Sequence, residues 1–505
     1  MTTSESPAPH FEVAVIGTGF SGLGVAAGLK RAGITDFVVF ERASDVGGTW
    51  RDNTYPGAAC DTESNLYSFS FAPNPGWNHT YAPQPEILAY LRDTARRFGL
   101  LPHVRFQHAV RSAAWDDAEA RWHIETSAGP FTARFLVSGH GPLAEPKWPD
   151  IPGLDTFPGP VFHSSRWRHD LDLTGKRVAV IGTGASAVQF VPEIAKQVGR
   201  LTVYQRSAPW IVPRLNRRVD ARTQRLYRAL PAAQLADRGR IAARRELLVL
   251  GFFDPGKERL VADVARAHLE AQVQDPELRA KLKPNYRVGC KRILVSDDYY
   301  PALTREGVEL VTDPIREVRP EGVVTGDGTL READAIVLGT GFHVAESPAA
   351  RVFRGRDGRT LAEVWNGSPR AYRGTTVHGF PNLFLMVGPN TGLGHTSIVY
   401  MIEAQVAYLV SALCHLRREH LLALDVREDA QRAYNDRVQA ELAKSVWVKG
   451  GCTSFYLDQH GQNVGLWPGF AFRYKAGLRR FDPGSYHFRL SPVPLGRSGV
   501  RAGAR

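Results

Sequence analysis

Two stretches of the chain carry apolar residues in unbroken runs, FEVAVIGTGFSG (Phe11–Gly22) and KRVAVIGTGASA (Lys176–Ala187), and each run closes on a glycine-rich turn. A continuous apolar run bounded by a turn predicts a strand buried on both faces, as in parallel sheets. After the first turn GLGVAAGLKRAG has helical spacing and DFVVFE returns to strand composition, so Phe11–Arg42 is predicted as strand, turn, helix, strand. Arg177–Arg206 repeats that order. Beyond it, as far as Lys283, Arg, Ala and Leu are spaced as in surface helices. ADAIVLGTGF (Ala333–Phe342) and FPNLFLMVGPN (Phe380–Asn390) predict two more buried strands, and YMIEAQVAYLVSAL a helix.

This order predicts an α/β fold of two Rossmann-like dinucleotide-binding domains, the second nested in the first. Residues 1–141 and 344–505 are expected to form the outer domain, 154–212 and 288–343 the inner one, and 213–287 a helical insertion. Residues 142–153 are expected to be a linker, because GPLAEPKWPDIPG carries four prolines, which disfavour helix and remove strand donors.

Composition narrows the function. A chain of 505 residues, 43% hydrophobic, can bury two or three cores. The net charge of +12 is spread out, and its densest group, Arg214 to Arg245, is interleaved with Ala, Leu and Glu, so no nucleic-acid partner is expected. The start, MTTSESPAPH, lacks the features of a secretory leader, and the run LLVLGFF (Leu247–Phe253) falls short of a membrane span; a cytoplasmic protein is expected. Cys60, Cys290, Cys414 and Cys452 are scattered, with no C-x-x-C pair and no metal-ligand spacing, which argues against disulfide exchange and structural zinc; no metal is expected. The terminal LGRSGVRAGAR has no core-forming residues and is expected to be disordered.

The two turns are dinucleotide sites. The first matches G-x-G-x-x-G with Gly17, Gly19 and Gly22, and Glu41 stands at the end of the following strand, where an acid bonds ribose hydroxyls. That site calls for an unphosphorylated ribose, as in FAD or NAD. The second has Gly182, Gly184 and Ala187, and its following strand ends in Gln205 and Arg206, which suits the 2′-phosphate of NADPH. Two dinucleotides in one chain mean redox chemistry.

Between the turns lies FPGPVFHSSRW (Phe157–Trp167). With Phe157, Gly159, His163 and Trp167 in register, it resembles the F-x-G-x-x-x-H-x-x-x-W fingerprint of the type I Baeyer–Villiger monooxygenases, within the flavin-containing monooxygenase superfamily. The resemblance continues through GGTW (Gly47–Trp50), YPGAACD (Tyr55–Asp61), GCKR (Gly289–Arg292), GTGF (Gly339–Phe342) and GPNTGLGHTS (Gly388–Ser397). Two positions depart from the family pattern: Arg168 follows the fingerprint tryptophan where Pro or Asp is usual, and Phe455 in SFYLD replaces a frequent Trp.

The resemblance implies FAD in the outer domain and NADPH in the inner one. It implies FAD contacts from Gly17, Gly19, Gly22, Glu41, Gly48, Thr49, Trp50, Asp61, Tyr67 and Ser397, and NADP contacts from Gly182, Thr183, Gly184, Ser186, Ala187, Gln189, Arg206, Ser207, Lys291 and Arg292. The implied reaction reduces FAD with NADPH, adds O2 to give a C4a-peroxyflavin and inserts one oxygen beside a ketone carbonyl, giving ester or lactone. Arg292 would be the fixed cation for the negative species, since a guanidinium stays charged, and Asp61 would hold it. Ser397 would cap the helix behind it. The rival readings are an N- or S-oxidising flavin monooxygenase, an NADPH-dependent flavoprotein reductase and a non-catalytic flavin-binding scaffold. The particular ketone and the oligomeric state stay open.

Overall fold

A computed structural model of the chain describes residues 8–344 and 347–490. The two unbroken apolar runs become the central strands of two sheets. His10–Ile16 pairs in parallel with Phe37–Phe40 on one side and Gly129–Ser138 on the other, with Val13, Ala14 and Val15 fully buried. Arg177–Ile181 pairs in parallel with Arg200–Tyr204 and with Ala335–Leu338.

The first sheet has eight strands. From edge to edge it runs Phe353–Arg354, Val110–Asp116, Arg121–Thr126, Gly129–Ser138, His10–Ile16, Phe37–Phe40 and Val104–Arg105, with Leu383–Leu385 also parallel to Gly129–Ser138. The meander from Val110 to Ser138 is antiparallel. Arg121–Thr126 alternates buried and exposed positions, the mark of a strand covered on one face. The second sheet runs Val308–Val311, Arg200–Tyr204, Arg177–Ile181, Ala335–Leu338 and Val161–His163, all parallel. In each sheet the central strand ends where the strand order reverses, which opens a crevice at its carboxyl end.

Helices Phe20–Arg31 and Ile398–Arg418 pack together on the first sheet so closely that a Cβ on Gly28 would lie 2.4 Å from Val406. Ile398–Arg418 is long and apolar enough to span a membrane, a feature the sequence reading did not flag. Its Met401, Tyr408, Leu409 and Ala412 nevertheless sit fully buried in the protein core. Ala185–Ile194 follows the second glycine turn, and Ala221–Ala229, Pro231–Leu247, Pro255–Gln272 and Pro276–Lys281 make up a helical insertion before the chain returns to the second sheet. The terminal LGRSGVRAGAR lies outside the described residues.

Candidate active site between the two dinucleotide cradles

The two glycine turns are near copies. Gly17 has φ +91° and Gly182 φ +106°, conformations that favour glycine. A Cβ on Gly22 would sit 1.8 Å from the Gly17 carbonyl oxygen, and one on Gly182 2.5 Å from the Gly339 oxygen. Ala187, at the third motif position, is fully buried against Gly339, so the helix lies directly on the strand. Gly19 and Gly184 are the N-caps of the two following helices, and neither supplies a side-chain cap. The first N–H groups of both helices are therefore available to a pyrophosphate, whose charge the helix dipole favours.

Glu41 is buried at the end of Phe37–Phe40 and aimed at the first turn: it accepts from the Thr18 N–H at 3.0 Å and hydroxyl at 2.5 Å, and pairs with Arg51 at 3.0 Å. Gly48, φ +51°, lies against Gly19, and Thr49 starts the short helix Thr49–Asp52. Trp50 Nε1 donates to the Tyr67 hydroxyl at 3.0 Å. Ser397 caps Ile398–Arg418, its hydroxyl accepting from the Val399 N–H at 3.2 Å.

At the seam between the sheets, Arg292 Nε and Nη2 both donate to Asp61 Oδ2, at 2.9 and 2.7 Å. The Asp61 carboxylate raises the Arg292 pKa above its already high ordinary value. Burial, the largest influence on Asp61, pushes its pKa up; the charge and hydrogen bond of Arg292, with help from Arg245, outweigh it and hold the carboxyl below its ordinary value. Among the described residues Arg292 Nη1 has no hydrogen-bond partner, so one arm of the guanidinium stays available.

Lys291, next in the chain, turns the other way: Nζ donates to Ser207 Oγ at 2.8 Å and lies 4.9 Å from the Tyr286 ring centre. Desolvation and then the neighbouring Arg206 charge lower its pKa. Arg206, Ser207 and Lys291 line one cavity of about 320 Å³. Thr183 bonds the Ser207 carbonyl at 3.3 Å, and Ser186 lies in the first turn of Ala185–Ile194. Gln189, expected to touch NADP, has both polar atoms committed elsewhere: Oε1 accepts from the Tyr55 hydroxyl at 3.0 Å and Nε2 donates to the Ala59 carbonyl at 2.9 Å. It straps the 55–61 loop to the inner-domain helix.

The fingerprint lies at the edge of the second sheet. A Cβ on Gly159 would strike the Asp334 carbonyl oxygen at 2.4 Å, and Phe157 packs into the core beside it. His163 is fully buried; its Nδ1 is 2.9 Å from Ser165 Oγ, its Nε2 has no hydrogen-bond partner among the described residues, and burial lowers its pKa to about 4. The ring stands edge-on to Phe342, beside the crossings where Lys147 bonds Gly341 and Thr340. Trp167 packs against Phe162 and Phe190. Arg168 points outward and pairs with Asp170, so this departure touches no site residue. Phe455 is 51% exposed, whereas its neighbour Tyr456 is buried close to Arg292.

Several participants were missed by sequence reasoning. Arg214 donates to the Cys60 carbonyl at 2.9 Å, Arg245 to the Asp61 carbonyl at 3.2 Å, and Arg244 and Arg245 pair with the buried Glu63, so the insertion holds the Asp61 loop. The only hint was their density in a stretch read as solvated helix. Cys290 and Cys452, which the sequence left without partners, form a disulfide across 162 residues.

Two uncapped cradles facing one buried-edge cation define a flavoprotein oxidoreductase that holds a second dinucleotide. A family model described as FMO-like, flavin-binding monooxygenase-like, matches residues 10–222. The chain is 51% identical to a Baeyer–Villiger monooxygenase of Streptomyces coelicolor, over 99% of this chain and 97% of that one. It is 48% identical to a Baeyer–Villiger monooxygenase of Pseudomonas aeruginosa, over 98% and 94%. Among solved structures, cyclohexanone monooxygenase from Rhodococcus sp. Phi1 bound to NADP+ superposes with a TM-score of 0.86 at 30% identity, covering 96% of this chain and all of that one. A steroid monooxygenase bound to NADP superposes at 0.85 with 32% identity, again over 96% and 100%. The chain belongs to the Baeyer–Villiger monooxygenases, flavoproteins that use NADPH and O2.

Proposed function

We propose that Arg292 is the cation that drives oxygen insertion into a ketone, that Asp61 positions it, and that Arg206, Ser207 and Lys291 select NADPH. The observation that carries this reading is the Asp61–Arg292 pair, which joins the loop after the first cradle to the segment beside the second. Residues 1–141 with 344–505 act as the FAD unit, and 154–212 with 288–343 as the NADP unit.

The residues present suit both groups. The close Gly17–Gly22 and Gly182–Gly339 approaches leave room for a pyrophosphate over an uncapped helix end, and Glu41 faces the first. Bound FAD, once reduced by NADPH, supplies the activation of O2. Around it the protein supplies charge and position. Negative charge develops on oxygen as the carbonyl is attacked, and a preorganised donor placed there is worth about 10²–10³ in rate. The free Nη1 arm of Arg292 can meet that charge, while Asp61 fixes the plane of the guanidinium. Tyr67, whose hydroxyl accepts from Trp50, has its phenol pKa raised chiefly by burial and stays neutral near Asp61 and Arg292.

The substrate class is a ketone, and the choice between the ring ketone and the steroid named for the structural relatives is left to assay. The test feeds the FAD holoenzyme a panel of cyclic, linear, aromatic and steroid ketones and a thioether, comparing NADPH consumed with product formed. Ester or lactone in step with NADPH supports the reading. Sulfoxide as the sole oxygenated product would overturn it in favour of a heteroatom oxidase.

A further inference from the structure

The cavity that holds Arg206, Ser207 and Lys291 has an opposite wall made by Gly451, Cys452 and Thr453. The two sides belong to different halves of the fold. The Lys291 side is anchored by the short parallel pairing of Leu294–Val295 with Ile211–Val212. The other side has fewer ties: Cys452 packs against the main core and the Arg287 N–H bonds the Gly450 carbonyl at 3.0 Å, but among the described residues no hydrogen bond reaches 451–453. What ties that wall to the Lys291 segment is the disulfide from Cys452 to Cys290, the residue just before Lys291. The lining carries two cations and no carboxylate, while the wall offers unpartnered backbone N–H groups and the Thr453 hydroxyl. An anion at Arg206 and Lys291 would be enclosed only while the wall stays across from it.

We propose that the Cys290–Cys452 disulfide is a covalent clasp on the 2′-phosphate pocket, and that preference for the 2′-phosphorylated nucleotide depends on its being closed. This rests on the reading of Arg206, Ser207 and Lys291 as the 2′-phosphate contacts. Opening the clasp leaves the wall free to sample many conformations, and binding must then order it again. A dithiol opens it by delivering two electrons and two protons: the S–S bond breaks, Cys290 and Cys452 become thiols, and the dithiol closes to its own disulfide. Thiol-reducing compartments act in the same direction, so in a cytoplasmic setting the pair would tie nucleotide selectivity to redox poise.

The test uses the FAD holoenzyme and measures NADP+ and NAD+ affinity by calorimetry, in wild type before and after dithiothreitol, in Cys452→Ser, in Cys290→Ala and in Arg206→Ala. Thiol titration of the unfolded wild type should find two free thiols, Cys60 and Cys414, before reduction and four after. Four at the outset would overturn the clasp. Opened or variant clasps should bind NADP+ roughly five- to tenfold more weakly, the cost of loosening a hydrogen bond to a charged group, with NAD+ changed less than about twofold. Reduced wild type keeps the test valid where a cysteine variant fails to fold. If Arg206→Ala loses NADP+ selectively while the opened enzyme does not, the clasp fails and the pocket reading stands. If Arg206→Ala has no selective effect, the pocket reading fails and takes the clasp with it. Equal loss of both nucleotides on opening would refute a role in selectivity.

Discussion

Breaking the Asp61–Arg292 pair should have three separable effects. Arg292→Ala deletes a guanidinium whose Nη1 arm is unpaired among the described residues, so ester formation per bound FAD should fall by about 10²–10³, the usual cost of one preorganised donor. Asp61→Ala keeps the charge but frees the side chain, and displacement on the scale of 1 Å costs about a hundredfold. The double variant should be little worse than Arg292→Ala alone, because both changes act on one interaction. The third effect is on stability. Arg292→Ala leaves Asp61 without its main partner; a fully buried pair broken in this way costs about 3–5 kcal/mol, and with the side chains 36% and 25% exposed we expect about 1–2 kcal/mol. The sign with pH follows. In the wild type the Asp61 pKa is held below its unfolded value, so the pair's contribution is present above about pH 4 and lost as pH falls through the folded value. In the variant burial dominates and lifts the Asp61 pKa, so its penalty is present at neutral pH and fades as pH falls toward about 4. Thermal melts of both proteins from pH 4 to 8, with flavin content and product yield on the same samples, check all three. A wild-type rate of ester formation, additive losses in the double variant, or a stability deficit independent of pH would refute the pairing.

Three further outcomes follow from single contacts. Gly22→Ala should abolish FAD retention, because its Cβ would lie 1.8 Å from the Gly17 oxygen; flavin absorbance per chain measures it, and a fully yellow variant would contradict the cradle geometry. Arg206→Ala should weaken NADP+ by roughly ten- to a hundredfold, the loss of a charged hydrogen bond, and leave NAD+ unchanged in equilibrium titration. Gln189→Ala should lower stability by about 1–2 kcal/mol in denaturant melts, because it releases the 55–61 loop from the inner-domain helix, with less than a twofold change in NADP+ affinity. A large, selective loss of NADP+ would return Gln189 to the nucleotide.

The central strands were legible because a run buried on both faces is apolar without a break, and the glycine turns because only those spacings let a helix meet a strand end so closely. Glu41 and Arg206 followed from position along the next strand. The meander from Val110 to Ser138 was passed over: its alternation is diluted by polar residues on the open face, and it contains no motif. Asp61 and Arg292 came through family resemblance, since their pairing spans 231 positions and no local pattern links a turn aspartate to an arginine that far away. Cys290 and Cys452 were equally opaque for the same reason. Gln189 shows what helix position leaves out: it suits a nucleotide contact, but it does not reveal that Oε1 and one N–H of the amide also tie the 55–61 loop to the helix.

The helical insertion gains a purpose from these long-range contacts. Its arginines do not form a solvated face alone: Arg214, Arg244 and Arg245 converge on residues 60–63, and Glu63, buried, answers two of them. Burying Glu63 would be costly without those partners, so the loop's position is tied to the insertion staying docked. Asp61 lies between these anchors and Arg292. The guanidinium facing the seam is therefore oriented by a loop of the outer unit, which an insertion of the inner unit holds in place, and each half of the fold sets the geometry of a charge carried by the other.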